Sequence, residues 1–257
     1  MTFDPKSFNI PRGGRVSVTV TADRGDGFEG PIDVELVDLP PGLSATTGRI
    51  PSGADTTVLM VGAAADASLA RQTAAVPSMY RHIGESARST RAASPTETFG
   101  ISGLAALKLV GRATIDGKAI IREAVVAEPL PVIALAPPPD LVVTTGAQRI
   151  EVIAGQQVEL TVNVERRNGF AARVPISVMN LPHGVRVDDI GLNGVMITEQ
   201  ENSRVIRIVA EPWVRAQTQP LLIVGRVEVN SPLRNEAAAL PVELVIRPAP
   251  TVLSRAR

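Results

Sequence analysis

Acid–base chemistry has few places to sit in this chain, whose 257 residues include two histidines and no cysteine. His82 has Ser78, Glu85 and Ser86 as sequence neighbours. These are the residue types of a nucleophilic triad, in which a base activates a hydroxyl and a carboxylate orients the base. The strained G-x-S-x-G elbow that would present such a serine is absent, and proximity along one short stretch does not supply triad geometry. His183 stands in Leu181-Pro182-His183-Gly184, a turn sequence. Asp23-Arg24-Gly25-Asp26-Gly27 holds an RGD tripeptide and two carboxylates, but a calcium site wants about six to eight oxygens and no closing glutamate of a calcium loop follows. Gly13-Gly14 precedes a strand pattern with no G-K-[ST] behind it, so it is not a phosphate cradle. Trp213 is the only tryptophan and aromatics make up 3%, which leaves little material for stacking sugar rings. No catalytic residue, cofactor site or metal ligand set is expected.

The bulk composition narrows the partners. Lysine plus arginine equals aspartate plus glutamate at 26 each, which removes the long-range field that nucleic-acid and anionic-membrane binders use. Neither partner is expected. No stretch approaches the ~20 apolar residues of a spanning helix, so membrane insertion is not expected either. Hydrophobic residues reach 44% with almost no aromatics. Any core must therefore be aliphatic, the material of half-buried pleated strands.

Those strands occur twice. Setting Val16 beside Val158 aligns GGRVSVTVTADRGDGFEGPIDVELVDLPPGLSA with AGQQVELTVNVERRNGFAARVPISVMNLPHGVRV without a gap, and Gly13/Gly155, Arg24/Arg166, Phe28/Phe170, Pro40/Pro182 and Gly42/Gly184 are among the identical pairs. Val16, Val18 and Val20, like Val158, Leu160 and Val162, alternate with polar residues, the period of a strand with one face buried. Ile32, Val34 and Leu36, matched by Val174, Ile176 and Val178, form a second such strand. It ends at LPPG or LPHG, where glycine supplies the positive φ that the third position of a type II turn requires. A third shared strand pairs Val58 with Val205, and Gly111-Arg112 matches Gly225-Arg226 in a fourth. Asp116-Gly117, between two strand-like runs, is a hairpin signal. Short strands at regular spacing without a helical period call for a sandwich rather than βαβ units.

The copies differ at one place. The repeat offset is 147 at the third strand and 114 at the fourth, so copy one carries 33 extra residues, within about 66–103. A structureless loop of that length is usually functional or disordered. Residues 66–75 have a helix-compatible composition, and Ser94-Pro95-Thr96-Glu97 has capping-box spacing. Arg71, Tyr80, Arg81, His82, Arg88 and Arg91 would form a partner-docking or anion-binding face.

Pro137 to Pro139 form a short, semi-rigid spacer between the copies. The expected division is 1–137 for the first domain and 138–257 for the second with its C-terminal tail. The motifs PRGGRVSVTVTADRGDGFEGPIDVELVDLPPGL and IPSGADTTVLMVGAAADA resemble the immunoglobulin-like modules strung in tandem along large secreted or surface proteins of bacteria, including those that accompany proteases and glycosidases. The likeness covers most of copy one outside the insert and is weaker in copy two, where Pro31 becomes Arg173 and Pro41 becomes His183. The resemblance implies two tandem immunoglobulin-like antiparallel β-sandwich domains. It also implies a non-enzymatic spacer, adhesion or protein-binding segment of a longer chain, extracytoplasmic behind an upstream signal peptide. The alternative is a carbohydrate-binding accessory module of a hydrolase, with a surface glycan as partner in place of a protein.

Overall fold

The computed structural model of the chain describes residues 1–5, 8–25, 27–69, 72–74, 99–101, 104–124, 132–188, 190, 194–227 and 236–249. It is all-β, and among the described residues there is no helix. The first half holds β1 (Thr2–Asp4), β2 (Phe8–Pro11), β3 (Arg15–Thr21), β4 (Ile32–Val37), β5 (Leu43–Ala45), β6 (Gly48–Ile50) and β7 (Thr56–Ala63). After these come β8 (Gln72–Ala74), β9 (Phe99–Ile101), β10 (Leu104–Ala106), β11 (Lys108–Ile115), β12 (Lys118–Glu123) and β13 (Val132–Ala136). One sheet is ordered β1-β3-β7-β5, and facing it are β12-β11-β4-β6 and β10-β13-β2. β10 and β11 are separated only by Leu107, so one bent strand serves both facing groups.

The second half repeats this plan. β14 (Leu141–Thr145), β16 (Gln157–Arg166), β20 (Ser203–Ala210) and β18 (Val185–Asp188) form one sheet. β15 (Arg149–Ile153), β23 (Val242–Arg247), β21 (Gln217–Arg226), β17 (Val174–Met179) and β19 (Val195–Ile197) form the other, with β22 (Glu236–Ala238) beside β21. Here the bent strand is continuous: β21 pairs with β23 up to Leu221 and with β17 from Leu222.

Alternation decides the packing. Val16, Val18 and Val20 of β3 pair with Val61, Leu59 and Thr57 of β7, and their side chains point into the sandwich. Leu160 and Val162 pair with Ile206 and Arg204 across β16 and β20. Two separate aliphatic clusters result, one around Val18, Leu59, Leu109 and Ile133, the other around Leu160, Val174, Ile208 and Leu244. At the turns, Leu43 and Val185 donate their amides to Pro40 and Pro182 at 3.1 and 2.9 Å, with Gly42 and Gly184 at φ 83° and 82°, the left-handed conformation of a type II turn. Asp116 and Gly117, at φ 49° and 75°, close the β11–β12 hairpin as a turn whose twist matches its strands.

The expected antiparallel plan holds, with one parallel pair in each sandwich: β2 runs parallel to β13, and β15 parallel to β23. The first strand of each copy pairs antiparallel in one sheet as β1 or β14, then crosses to the other without reversing and lies alongside the last strand. One expectation needs correction: there is no helix in the described part of residues 66–75. A turn closes from the Ala67 amide to Ala64, and Gln72–Ala74 pairs antiparallel with Phe99–Ile101, so strand pairing overrides helix-compatible composition. The capping-box residues 94–97 lie outside the described residues.

The halves also touch. Met60 of β7 is 2% exposed because Leu222, Val224 and Ala238 cover it, with Val58 and Met179 at the margin.

Adjacent residues on β20 separate the two faces of one sheet. Ile206 points into the core and Val205 is 52% exposed. Ile206→Ala is expected to cost about 2–5 kcal/mol, and Val205→Ala to stay within about 0.5 kcal/mol of wild type, both from urea unfolding midpoints.

Candidate functional site

The docking face expected from sequence, Arg71, Tyr80, Arg81, His82, Arg88 and Arg91, lies outside the described residues. What is described is its root. β8 and β9 pair as the two sides of the insert where it leaves and rejoins the sandwich. Ahead of β8 the chain is anchored: Arg12 Nε donates to the Ala67 carbonyl at 3.0 Å, and the Ala64 amide donates to Gly42. The insert thus springs from the end of the first sandwich that carries the LPPG turn.

The opposite end shows what became of the RGD tripeptide. Arg24 is 8% exposed at its side chain and reaches inward. Its Nε and Nη2 donate to Ala54 O at 2.9 and 2.6 Å, Nη2 also to Pro51 O at 2.9 Å, and Nη1 to Gly30 O at 2.6 Å. The guanidinium lies 5.7 Å from the Phe28 ring centroid, and Asp55 stands 3.4 Å away. A buried guanidinium with several carbonyl acceptors is a cross-link between the β3–β4 loop and the β6–β7 loop. Its donors are engaged within the fold.

Arg166 does the same in the second copy. It donates to Ala172 O at 2.9 Å, Thr198 O at 2.7 Å, Glu201 O at 2.8 Å and Asn202 Oδ1 at 3.0 Å. By the repeat offsets these acceptors match Gly30, Pro51, Ala54 and Asp55, so the clamp is inherited whole. Sequence reading found Arg24 and Arg166 as an identical pair without assigning a role. The signal was there: an arginine kept inside a turn where Gly25 becomes Arg167 and Asp26 becomes Asn168.

The Thr198–Glu201 segment held by Arg166 has its own lock. Thr198 donates to Glu201 Oε2 from its amide at 3.1 Å and from its hydroxyl at 2.9 Å. Those hydrogen bonds, backbone first and then side chain, hold the Glu201 carboxyl below its ordinary pKa, with the Arg204 charge adding to them.

His183 sits in the LPHG turn and packs against Trp213, ring centroids 5.0 Å apart at 52°. Trp213 lies across Gly184, where a Cβ would come within 2.4 Å of the indole, so the glycine is required for space as well as for φ. Trp213 remains 59% exposed. The pair makes a small aromatic surface that sequence reading missed, because His183 and Trp213 are 30 residues apart. Among the described residues, no three His, Asp or Glu side chains gather as a metal would need.

No family model and no curated protein matches the sequence. Among solved structures the chain is similar to the fibronectin(III)-like modules of CbhA from Clostridium thermocellum, at 12% identity and a TM-score of 0.25, over 100% of this chain and 97% of that one. It is also similar to domains 4 and 5 of the S-layer protein SbsC, at 13% identity and 0.28, over 59% and 69% of the two chains. The N-terminal four Ig domains of Dscam1 isoform 1.9 give 11% and 0.23, over 94% and 44%. At these values the likenesses carry no inference about family or role, and the fold rests on its strand pairing.

Arg24→Ala and Arg166→Ala each strand several loop carbonyls and are expected to lower stability by about 2–4 kcal/mol. Arg→Lys should recover only part of that, since an ammonium cannot match the fork; urea midpoints at unchanged slope measure both. Glu201 gives a pH test. Its folded pKa is lowered, so its contribution is complete above the unfolded carboxyl pKa of about 4.3 and disappears as pH falls through the folded value. The melting-temperature gap between wild type and Glu201→Gln should therefore close on acidification below about pH 4.

Proposed function

We propose that the chain is a non-catalytic pair of immunoglobulin-like modules, divided at residues 137 and 138, that serves as a spacer, adhesion or protein-binding segment of a larger bacterial secreted or surface protein. The observation that carries this reading is how the shared motif residues are spent. Val16, Val20 and Val162 fill cores, Gly42 and Gly184 shape turns, and Arg24 and Arg166 clamp loops. What the copies share is architecture. The resemblance to tandem surface modules supports an extracytoplasmic location, reached through a signal peptide upstream of this segment.

Binding specific to this protein falls to the part that only one copy has. Sandwich modules present loops on a rigid frame, and the β8–β9 root is such an attachment, tied to the frame through Arg12 and Gly42. Arg71, Tyr80, Arg81, His82, Arg88 and Arg91 are the proposed contact residues, with a protein as partner. The carbohydrate reading is favoured by a different observation, the exposed Trp213 beside His183, because an aromatic face can stack on a sugar ring.

Two measurements divide these readings. Deletion of residues 70–98 should leave the unfolding of both sandwiches unchanged and abolish binding to the partner surface; equal affinity before and after deletion rejects the insert. A glycan array should give no signal, and signal lost in Trp213→Ala would replace the protein-binding reading by the carbohydrate one.

A further inference from the structure

The two sandwiches lie face to face, and the contact uses a different side of each. From the first it takes the outward face of β7 and β3. Met60 and Val58 lie on the opposite face from the core residues Leu59 and Val61. From the second it takes the outward face of β21, β17 and β22, where Leu222 and Val224 are 1% and 0% exposed although Leu221 and Ile223 fill the core on the other side. Two polar contacts flank the patch. Ser17 Oγ donates to Glu236 Oε2 at 2.8 Å, with Arg226 3.3 Å from the same glutamate. At the other end Thr57 Oγ1 is 3.4 Å from Asn180 Oδ1.

Those flanking contacts give the direction. Thr57 is the second residue of β7, near where the chain enters the first sandwich, while Asn180 lies at the far end of the second, beyond the last residue of β17. The second sandwich therefore runs back alongside the first instead of continuing beyond it.

Because the chain is a repeat, each interface residue has a twin on an outer face. By the offset of 147, Met60 corresponds to Arg207 and Val58 to Val205. By the offset of 114, Leu222 corresponds to Lys108. Ala238 precedes the residue whose amide donates to Ile223 O, as Glu123 precedes the one that donates to Leu109 O, so these two are also twins. Met60, Leu222 and Ala238 thus have charged twins with ion-pair partners on the same faces, while Val58 and Val224 have the valines Val205 and Val110. Lys108 lies 3.5 Å from Asp38 and 3.7 Å from Glu123, and Arg207 lies 3.7 Å from Glu159.

A contact between two different faces is heterologous, and such contacts continue into filaments unless something stops them. From this geometry we infer that the two sandwiches form one rigid, folded-back unit whose stacking is terminated on both sides by charge. The inner faces fit each other through Met60, Leu222, Val224 and Ala238. The outer faces would have to desolvate paired ions to accept a second copy of this chain, which costs more than their attraction returns. This goes beyond the proposed role, since it holds whatever the modules bind.

The full chain is tested with substitutions that exchange twins. Met60→Arg and Leu222→Lys each place on one sandwich the residue that the same position of the other already tolerates, so each sheet should still fold. In both variants the radius of gyration from X-ray scattering should rise above that of wild type, and one thermal unfolding transition should become two. Using two variants on opposite sandwiches guards against a folding defect in either. An unchanged radius and a single transition in both would overturn the rigid unit. The triple variant Lys108→Leu, Glu123→Ala, Arg207→Met should assemble with rising concentration in sedimentation velocity where wild type stays monomeric; a monomeric triple variant, or a wild type that assembles equally, would overturn charge termination.

Discussion

Register is the constraint on which the rest depends. With side chains alternating at period two, the pairing of β3 on β7 and of β16 on β20 decides at once which residues are core and which are surface. A slip of one residue would turn Val16, Val18 and Val20 outward and bring Arg15, Ser17 and Thr19 inward. The core contains almost no aromatic residue able to fill space by itself, so many aliphatic side chains have to arrive in phase. Turns with fixed geometry, at Gly42, Gly184 and Asp116-Gly117, set that phase locally.

Once the inward set is fixed, the outward set is free to diverge, and the two copies have used this freedom differently. Met60 and Arg207 occupy the same place in the same strand of the same sheet; one is covered by a neighbour and the other meets water. The clamp at the loop end did not diverge. Arg24 and Arg166 keep three equivalent backbone acceptors, although Gly30 has become Ala172 and Pro51 has become Thr198. Backbone carbonyls are present whatever the side chain. An arginine that reads mostly backbone carbonyls therefore tolerates change in the side chains of the residues that supply them.

Much of this was legible in the sequence, for identifiable reasons. The alternating runs at Val16, Ile32 and their twins gave strands because each has one apolar and one polar face. The crossing of the first strand between sheets was not legible, since β1 and β2 are too short to show a period. The clamp could be located and not interpreted, because its backbone acceptors are loop carbonyls up to 35 residues away. The contact between the halves left two traces, the unbroken apolar runs Val58–Val61 and Leu221–Val224, where alternation should have placed polar residues. Such a run means burial on both faces. Of the insert, sequence supplies residue types and count, and the described backbone supplies its root at β8 and β9.

The parallel pairing of first and last strands bears on how these modules would carry tension. In β2 with β13, and in β15 with β23, the chain enters along one strand and leaves along its parallel neighbour. Force transmitted through the backbone then acts along the strands in opposite directions, across hydrogen bonds that lie at a slant to the pull. All of those bonds are loaded together, as in a lap joint, and none can yield singly in the manner of an opening zip. Each sandwich thus resists extension through the one pair of strands that its otherwise antiparallel plan sets apart.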